Sequence, residues 1–316
     1  MPLVTKMKLF DLHCDTATRL LAENQGIYEN NLHISLKRTK YLEKYAQVMA
    51  IWTNHKLSDE QGYEKFFEVL NNLDAEIQLN CDRVERVHNS SQLISCVNNG
   101  KSPLILAVED ARILENDITK LNVLYSHGVR ILTLNWSGVT CIGGAHDTDI
   151  GLSDFGQSVV KNCFEIGIIP DISHCSFKGA KDTIVLAKEY DKPIVASHSD
   201  SYFMNNHTRN LKDEDFVDIA ALGGLVGINL CPSHLSSNDN ANILDVMKHI
   251  EHYLSLDCEN AIAMGGDLDG TNLPLEFNGI EDIYKIANEM QRLNYSNKLI
   301  DKIMYKNAFE FFKRNI

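Results

Sequence analysis

Six side chains of types that commonly bind metal ions stand at or just after the ends of short apolar segments. They are His13, Asp15, Glu109, His174, His198 and Asp267. His13 and Asp15 are two residues apart, so on a β-strand both side chains point to the same face. Imidazole nitrogens and carboxylate oxygens together suit zinc, with Mn²⁺, Co²⁺ or Fe²⁺ as substitutes. If their strands converge, these residues predict a metal centre able to activate water for hydrolysis.

Each of these residues taken alone also has a structural explanation. A single histidine at a strand end is more often a hydrogen-bonded core residue than a metal ligand. Glu109 could pair with Arg112 or Arg130, and Asp267 could cap the GGDLDG loop. Cys14 should point away from its two neighbours and pack as a small buried thiol. The metal interpretation therefore depends on convergence, because clustered histidines and carboxylates without a cation would repel one another or remain unsatisfied.

Eight short apolar segments, separated by longer helical patterns, predict β-strands that are buried on both faces. They cover residues 9–15, 45–52, 103–109, 129–135, 167–174, 192–198, 224–230 and 261–267. The intervening segments carry apolar residues at spacings of three and four, which is typical of amphipathic helices. Two helical stretches lie within 53–102, and two more helices follow the last strand.

Eight βα units in 316 residues predict a (β/α)₈ TIM barrel, with 1–316 forming a single domain that ends in extra C-terminal helices. No Pro-, Gly- or Ser-rich linker divides the chain. The main alternative is an open doubly wound α/β sheet, but no GxGxxG motif follows the first strand. In a barrel the strand C-termini meet at one mouth, so the metal-type residues should meet there too.

Charge and cysteine usage narrow the choice of partners and compartment. The formal net charge is -13 at pH 7 without a long basic run, so nucleic acid and anionic membrane surfaces should be repelled. No apolar run is long enough to span a bilayer, and the first residues lack the apolar core of a signal peptide. The 8 cysteines are scattered without a CxxC pair, which is typical of reduced thiols and predicts a cytoplasmic protein.

Seven short motifs extend over nearly the whole chain. In order they are DLHCD (11–15), AVED (107–110), GLSDFG (151–156), DISH (171–174), SHSDSY (197–202), Arg209-Asn210 and GGDLDG (265–270). In their order, spacing and position at strand ends, these motifs resemble the membrane (renal) dipeptidase family. This is peptidase family M19 of the binuclear-metal amidohydrolase superfamily.

The resemblance implies a centre of two zinc ions bridged by Glu109. By position, His13 and Asp15 would complete the ligands of one ion, and His174 and His198 those of the other. A hydroxide bridging the two ions would act as the nucleophile, since zinc lowers the pKa of bound water to ~7. The family also implies a homodimer.

Two further residues have roles that the resemblance implies. Arg209 matches an arginine that receives the terminal carboxylate of the substrate, and Asp267 matches an acidic residue that would carry a proton to the leaving amine. Judged from its neighbours alone, Arg209 could instead form a surface ion pair with Asp213 or Glu214.

The chain departs from the family pattern after the fourth predicted strand. Trp136 stands where animal members have a substrate-binding histidine. Asn135 or His146 could take over that role, so all three are candidate substrate-binding residues. His207, in the loop after the sixth predicted strand, could also reach the mouth.

These patterns predict a zinc-dependent dipeptidase that hydrolyses the peptide bond of small dipeptide substrates. One alternative is a related amidohydrolase that uses the same site on N-acyl amino acids, β-lactams or lactones, and a substrate panel would separate the two. A second alternative is a metal-binding module without catalytic activity. Such a module would more often fill the coordination sphere with protein ligands and leave no open position for a nucleophile.

Overall fold

A computed structural model describes residues 7–238 and 240–316, and its centre is a closed barrel of parallel strands surrounded by helices. Within these residues the strands are β1 (Lys8–Cys14), β2 (Lys44–Trp52), β3 (Val84–Arg86), β4 (Ser102–Glu109), β5 (Val129–Thr133), β6 (Ile169–Asp171), β7 (Val195–Ala196), β8 (Leu225–Ile228) and β9 (Ile262–Met264).

The strand order shows how the barrel closes. Neighbouring strands follow the order β2-β1-β9-β8-β7-β6-β5-β4, and β2 also pairs with β4, which completes the ring. The pairings within the ring are parallel. β3 lies outside the ring beside the start of β4, where Val84 pairs with Ser102. The predicted (β/α)₈ TIM barrel is confirmed, and the closed ring excludes the open doubly wound sheet.

The eight predicted strands correspond to the eight strands of the ring. β3 has no counterpart in the prediction, because only Val84 among its residues is fully buried and no apolar run marks it. The predicted strands at 167–174 and 192–198 are longer than β6 and β7, which contain 3 and 2 residues. His174 and His198 lie in turns just after these short strands. The backbone leaves the sheet there and places both imidazoles at the C-terminal end of the barrel.

Helices fill the connections between strands. They are α1 (Thr16–Ala22), α2 (Asp59–Leu79), α3 (Ser90–Asn98), α4 (Thr119–Ser126), α5 (Asp154–Ile166), α6 (Phe177–Tyr190), α7 (Asp213–Ala221), α8 (Pro232–Leu235), α9 (Ile243–Ser255), α10 (Tyr284–Arg292), α11 (Asn297–Asp301) and α12 (Asn307–Asn315). Short 3₁₀ turns occupy Arg38–Tyr41, Ala111–Leu114, Glu259–Ala261 and Ile280–Asp282, and a π-helical turn at Lys302–Lys306 joins α11 to α12. The helices predicted within 53–102 and after the last strand are all present.

The long loop between β5 and α5 is tied down at its far end. Ser153 caps α5 by accepting a hydrogen bond of 2.9 Å from the backbone N–H of Gly156. A β-carbon at Gly156 would lie 2.0 Å from the carbonyl oxygen of Ile142, so only glycine permits this close approach. The contact fixes the loop that carries Trp136 and His146 to the mouth of the barrel.

Apolar side chains fill the barrel interior and the layer between barrel and helices. Leu9 packs outward under the helices, whereas Phe10 and Leu12 belong to the inner cluster. At the N-terminal end of the barrel, Phe311 and Phe312 from α12 are fully buried in that inner cluster. The ring of Phe312 stacks on Phe10, with 5.1 Å between centroids. The C-terminal helix therefore shares the core of the barrel and closes its floor.

Two further features bear on the sequence predictions. Among the described residues, no helix combines the length and the apolar character needed to cross a bilayer. The cysteines are free thiols, and Cys14 is fully buried with its sulfur 3.3 Å from that of Met49. Burial raises the pKa of the Cys14 thiol well above its usual value, so this residue packs as the predicted buried thiol.

Candidate active site

The C-terminal ends of the strands surround a cavity of about 560 Å³. Of the residues predicted from the sequence, its wall contains Asp15, Glu109, Trp136, His146, His174, Arg209 and Asp267. His13 and His198 are 1% exposed and lie beneath this wall, against Glu109. The structure thus brings the six predicted metal-type residues together at one mouth of the barrel.

The first group of donor atoms surrounds His13. Its Nε2 lies 3.4 Å from Glu109 Oε2, 3.7 Å from Asp15 Oδ2 and 4.0 Å from Asp267 Oδ1. Among the described residues this buried Nε2 has no hydrogen-bond partner. A buried ring nitrogen that faces carboxylate oxygens without a hydrogen bond is the arrangement expected around a cation.

The second group lies on the other side of the same glutamate. Glu109 Oε1 is 3.0 Å from His174 Nε2 and 3.7 Å from His198 Nε2. The two Nε2 atoms are 2.9 Å apart. Glu109 therefore directs one carboxylate oxygen toward each group, as a bridging ligand would.

Hydrogen bonds on the far side of each ring determine which nitrogen carries the proton. His174 Nδ1 lies 3.1 Å from the carbonyl oxygen of Trp136, which can only accept, so Nδ1 is protonated. The hydroxyl of Ser197 donates to Asp171 at 2.6 Å, and its oxygen accepts from His198 Nδ1 at 2.8 Å. In both rings Nε2 presents a lone pair to the cavity. Such outer hydrogen bonds commonly orient histidines that bind metals.

The two lone pairs would repel each other across 2.9 Å unless a cation lies between the rings and the glutamate. Protonation does not relieve this contact at neutral pH. Burial and the charge of Arg209 lower the pKa of His174 to about 4, and burial lowers the pKa of His198 well below its usual value. Both rings are therefore neutral, which is the form that binds metals. These residues fit a divalent metal centre.

The carboxylates also favour a cation. Burial, with a contribution from the charge of Glu109, raises the pKa of Asp15 to about 6. Burial raises the pKa of Asp267 to about 8, and the charges of Asp15 and Glu109 add to this rise. Burial opposes protonation of His13, but Glu109 and Asp15 outweigh it and raise the pKa of His13. A positive ion here would offset the mutual repulsion of the carboxylates.

Arg209 is buried in the cavity wall, at 5% exposure. One of its Nη atoms donates to the carbonyl oxygen of His198 at 3.4 Å, and its buried Nε has no partner among the described residues. The alternative of a surface ion pair is wrong, because Arg209 is not at the surface and Asp213 pairs with His252 at 2.8 Å. A buried guanidinium with unused donors can receive a carboxylate from a ligand.

The arginines proposed as alternative partners of Glu109 are engaged elsewhere. Arg112 pairs with Asp59 at 2.6 Å, and Arg130 donates to the carbonyl oxygen of His88 at 2.8 Å. Neither explains why a glutamate is 2% exposed at this position.

The three candidate residues after β5 occupy different positions. Trp136 and His146 line the cavity, and His146 Nδ1 lies 3.0 Å from the hydroxyl of Thr208. Asn135 is fully buried behind the wall, where its amide donates to the carbonyl oxygen of Gly143 at 3.2 Å. It holds the loop in place and is not in the cavity lining, so the structure does not support its predicted contact with substrate.

Some cavity residues were not predicted from the sequence. Trp52, at the end of β2, and His234, within α8, line the wall. His207, which the sequence placed in a loop near the mouth, lines it as well. Trp52 is the last residue of the predicted strand 45–52, so a search of strand ends for aromatic residues would have included it, whereas no such signal marks His234. Asn229 lies behind the wall and directs its amide toward Asp267 Oδ2 at 3.5 Å. Asp267 has a φ of 54°, a conformation that non-glycine residues rarely adopt.

The barrel and the donor set at its mouth define a metal-dependent hydrolase of the TIM-barrel type. A model of the membrane dipeptidase family, peptidase family M19, matches residues 1–315. The chain belongs to this family.

Comparison with individual proteins agrees with this assignment. The chain is 27% identical over 269 residues to an uncharacterized dipeptidase of Schizosaccharomyces pombe, covering 78% of this chain but only 62% of that longer relative. It is similar to the crystal structure of dipeptidase AC, an M19 metallo peptidase, with a TM-score of 0.91 and 25% identity over 98% of this chain and 99% of that one.

A second solved structure shows the same fold. It is a metallo peptidase from Rhodobacter sphaeroides, bound to a phosphinate mimic of the dipeptide L-Ala-D-Ala. Its TM-score is 0.91 at 24% identity, covering 98% of this chain and 100% of that one. Family and fold are those of metal-dependent dipeptide hydrolases.

Proposed function

We propose that this protein is a two-zinc dipeptidase that hydrolyses the peptide bond of dipeptides with a free C-terminal carboxylate. The observation that carries the proposal is the position of Glu109 between two groups of imidazole and carboxylate atoms that could bind metal ions. The cavity beside these groups has room for a small substrate, since its volume is about 560 Å³.

The donor atoms divide between two metal positions. His13 and Asp15 would bind one ion, His174 and His198 the other, and Glu109 would bridge them. Nitrogen and oxygen donors suit Zn²⁺, and Mn²⁺, Co²⁺ or Fe²⁺ could substitute. When bound, such a pair of ions lowers the pKa of a water molecule to ~7 and polarises the scissile carbonyl.

Residues of the chain supply orientation and proton transfer. Arg209 would hold the terminal carboxylate of the substrate with two parallel hydrogen bonds, which limits the substrate to a short peptide. Asp267 faces His13 and lines the same cavity, so it can accept a proton from water and release it to the leaving amine.

The alternatives differ in what they require of the cavity. An amidohydrolase acting on N-acyl amino acids, β-lactams or lactones would use the same metal ligands. A metal-binding module without activity would not need a large cavity containing an unpaired arginine beside the metal positions. The cavity and Arg209 favour an enzyme that binds a substrate carboxylate, and membership of the membrane dipeptidase family favours a dipeptide as that substrate.

We also propose the wider organisation of the protein. Residues 1–316 form a single domain, which is supported by the packing of α12 under the barrel. A cytoplasmic location is supported by free thiols at all the cysteines. A homodimer is proposed from the family resemblance.

Hydrolysis of a dipeptide panel by zinc-reconstituted protein tests the proposal. Each dipeptide is paired with its C-terminal amide, and both are measured with wild type, Arg209→Ala and Arg209→Lys. Wild type should strongly prefer the free acid. Arg209→Ala should lower kcat/KM for the free acid, by an amount equivalent to ~2–5 kcal/mol of transition-state free energy, because the carboxylate loses its partner. The same substitution should hardly change kcat/KM for the amide.

Lysine should restore only part of the preference, because its single ammonium cannot form the two parallel bonds of a guanidinium. If Arg209→Ala discriminates acid from amide as well as wild type, the carboxylate is bound elsewhere. An N-acyl amino acid, a β-lactam and a lactone are measured in the same way. If one of them is hydrolysed and no dipeptide is, the protein is a related amidohydrolase and not a dipeptidase.

A further inference from the structure

The cavity wall contains two groups of side chains that differ in chemistry. Arg209, His207 and His234, which follow β7 and β8, form a polar side. Trp52 at the end of β2 and Trp136 just after β5 form an aromatic side. The sequence contains 2 tryptophans, so both are in this wall.

The strand order places Trp52 opposite Arg209, and Trp136, which follows β5, packs against Trp52. From β2 to β7 the ring passes through β1, β9 and β8 in one direction, and through β4, β5 and β6 in the other. Trp52 therefore stands across the barrel from the loop that carries Arg209. The metal-type residues lie between them, with Glu109 at the centre of their donor atoms.

The aromatic side is held by contacts that do not depend on a ligand. The ring of Trp136 stacks on His55, with 5.0 Å between centroids and an angle of 20°, and packs against Trp52 at 5.3 Å. Asp147 braces the same loop by accepting hydrogen bonds from the two residues that follow Trp136. The wall is therefore formed in advance, and a ligand would not have to order it.

We propose that Trp136 and Trp52 bind the side chain of the N-terminal residue of the substrate, and that the enzyme prefers dipeptides whose N-terminal residue is large and apolar. This inference rests on the proposed function. With the terminal carboxylate on Arg209 and the scissile carbonyl at the metal centre, the N-terminal residue extends toward the opposite wall. Indole faces bind apolar and aromatic groups through buried area and ring contacts.

The test compares substrates that differ only at the N-terminal residue: Ala-Ala, Leu-Ala, Phe-Ala and Glu-Ala. We expect wild type to cleave Phe-Ala and Leu-Ala with a kcat/KM about 10- to 100-fold above that of Ala-Ala, as an apolar pocket of this size allows. Trp136→Ala should remove most of this preference, and Trp136→Phe should retain most of it. Val139→Ala is the matched control, because Val139 is on the same loop, is 60% exposed and is not in the cavity wall.

Zinc content should be unchanged in Trp136→Ala, because His174 bonds to the backbone carbonyl of residue 136 and not to its ring. A second readout does not use turnover. Metal-free protein is titrated with Phe-Ala or Ala-Ala while tryptophan emission is recorded. Both tryptophans of the chain lie in the wall, so Phe-Ala should change the emission and Ala-Ala should change it much less.

The outcomes separate this inference from the proposed function. Hydrolysis of all four dipeptides without preference would overturn the inference alone, as would Trp136→Ala lowering kcat/KM equally for every substrate. Loss of zinc in Trp136→Ala would show that the residue acts through His174, which also overturns it. Failure to cleave any dipeptide would contradict the proposed function itself.

Discussion

The two ends of the barrel use the same strands for opposite purposes. At the N-terminal end, Phe10 from β1 meets Phe311 and Phe312 from α12, and every one of these rings is fully buried in apolar contact. At the C-terminal end stand His13, on β1, and Asp15, just after it, whose polar atoms are buried without full hydrogen bonding among the described residues. The apolar side chains at the floor of the barrel are therefore fully packed, whereas some buried polar atoms at the mouth lack hydrogen-bond partners.

The difference shows where stability and function reside in this fold. Buried rings stabilise the folded chain through the apolar area they remove from water. Buried carboxylates and imidazoles destabilise the folded chain unless a metal ion or a hydrogen-bond partner compensates for the water they have lost. The mouth therefore depends on the floor for its stability, and a bound metal would offset the free-energy cost of burying its polar groups. Substitutions at the two ends should separate these contributions.

The largest effect on turnover should come from Asp267→Asn at the mouth. An amide cannot carry the proton, so kcat should fall by ~10²–10⁴-fold while zinc content stays near that of wild type. The stability of the metal-free protein should be unchanged or higher, because an amide at this position cannot ionise beside Asp15 and Glu109. Turnover and thermal unfolding are measured on the same preparation. A folded, fully metallated variant with nearly normal turnover would exclude Asp267 from catalysis.

The opposite pattern is expected from Phe312→Ala at the floor. Removing a fully buried ring should lower the free energy of unfolding by ~3–5 kcal/mol, with zinc content and kcat of the folded protein unchanged. Phe309→Ala, on the same helix but only half-buried, is the control and should cost less. Denaturant unfolding gives the numbers. A large loss of kcat at full folding and metal content would show that the two ends are not independent.

A smaller effect should come from Ser197→Ala, which removes the hydroxyl between Asp171 and His198. Loss of such an outer hydrogen bond typically weakens metal binding by ~10–100-fold, because the imidazole is no longer held in its ligating orientation. Thr133→Ala is the matched control: Thr133 also donates to Asp171, at 2.7 Å, but does not contact His198. Competition with a zinc chelator measures both affinities. Equal weakening in the two variants would mean that Asp171, and not the histidine contact, sets the affinity.

Much of this site could be predicted because metal-type residues interrupt apolar strands at their C-terminal ends. That local signal identified all six residues that the structure brings together, including His174 and His198 in turns after very short strands. The barrel was predictable for the same reason, since its strands are buried on both faces. β3 was not, because two of its residues are only half-buried.

Contacts between distant parts of the chain could not be predicted. Asn135 is polar and lies at the end of a predicted strand, as a substrate-binding residue would. Its amide nevertheless donates to the carbonyl oxygen of Gly143 behind the cavity wall. Asp269 accepts a hydrogen bond of 2.6 Å from the backbone of His33, 236 residues away, and no spacing along the chain indicates this. His234 carries no strand-end signal in the sequence. It becomes a cavity residue only through the closure of the ring.

Metal content is the most direct test of the central claim that Glu109 bridges two ions at the mouth of the barrel. Elemental analysis of zinc-reconstituted wild type should give about two ions per chain, as for other two-metal hydrolytic centres. Glu109→Ala should lose more than one of them, because each of its oxygens faces a different group of ligands. One ion per chain in both proteins would contradict the bridged centre and the mechanism built on it.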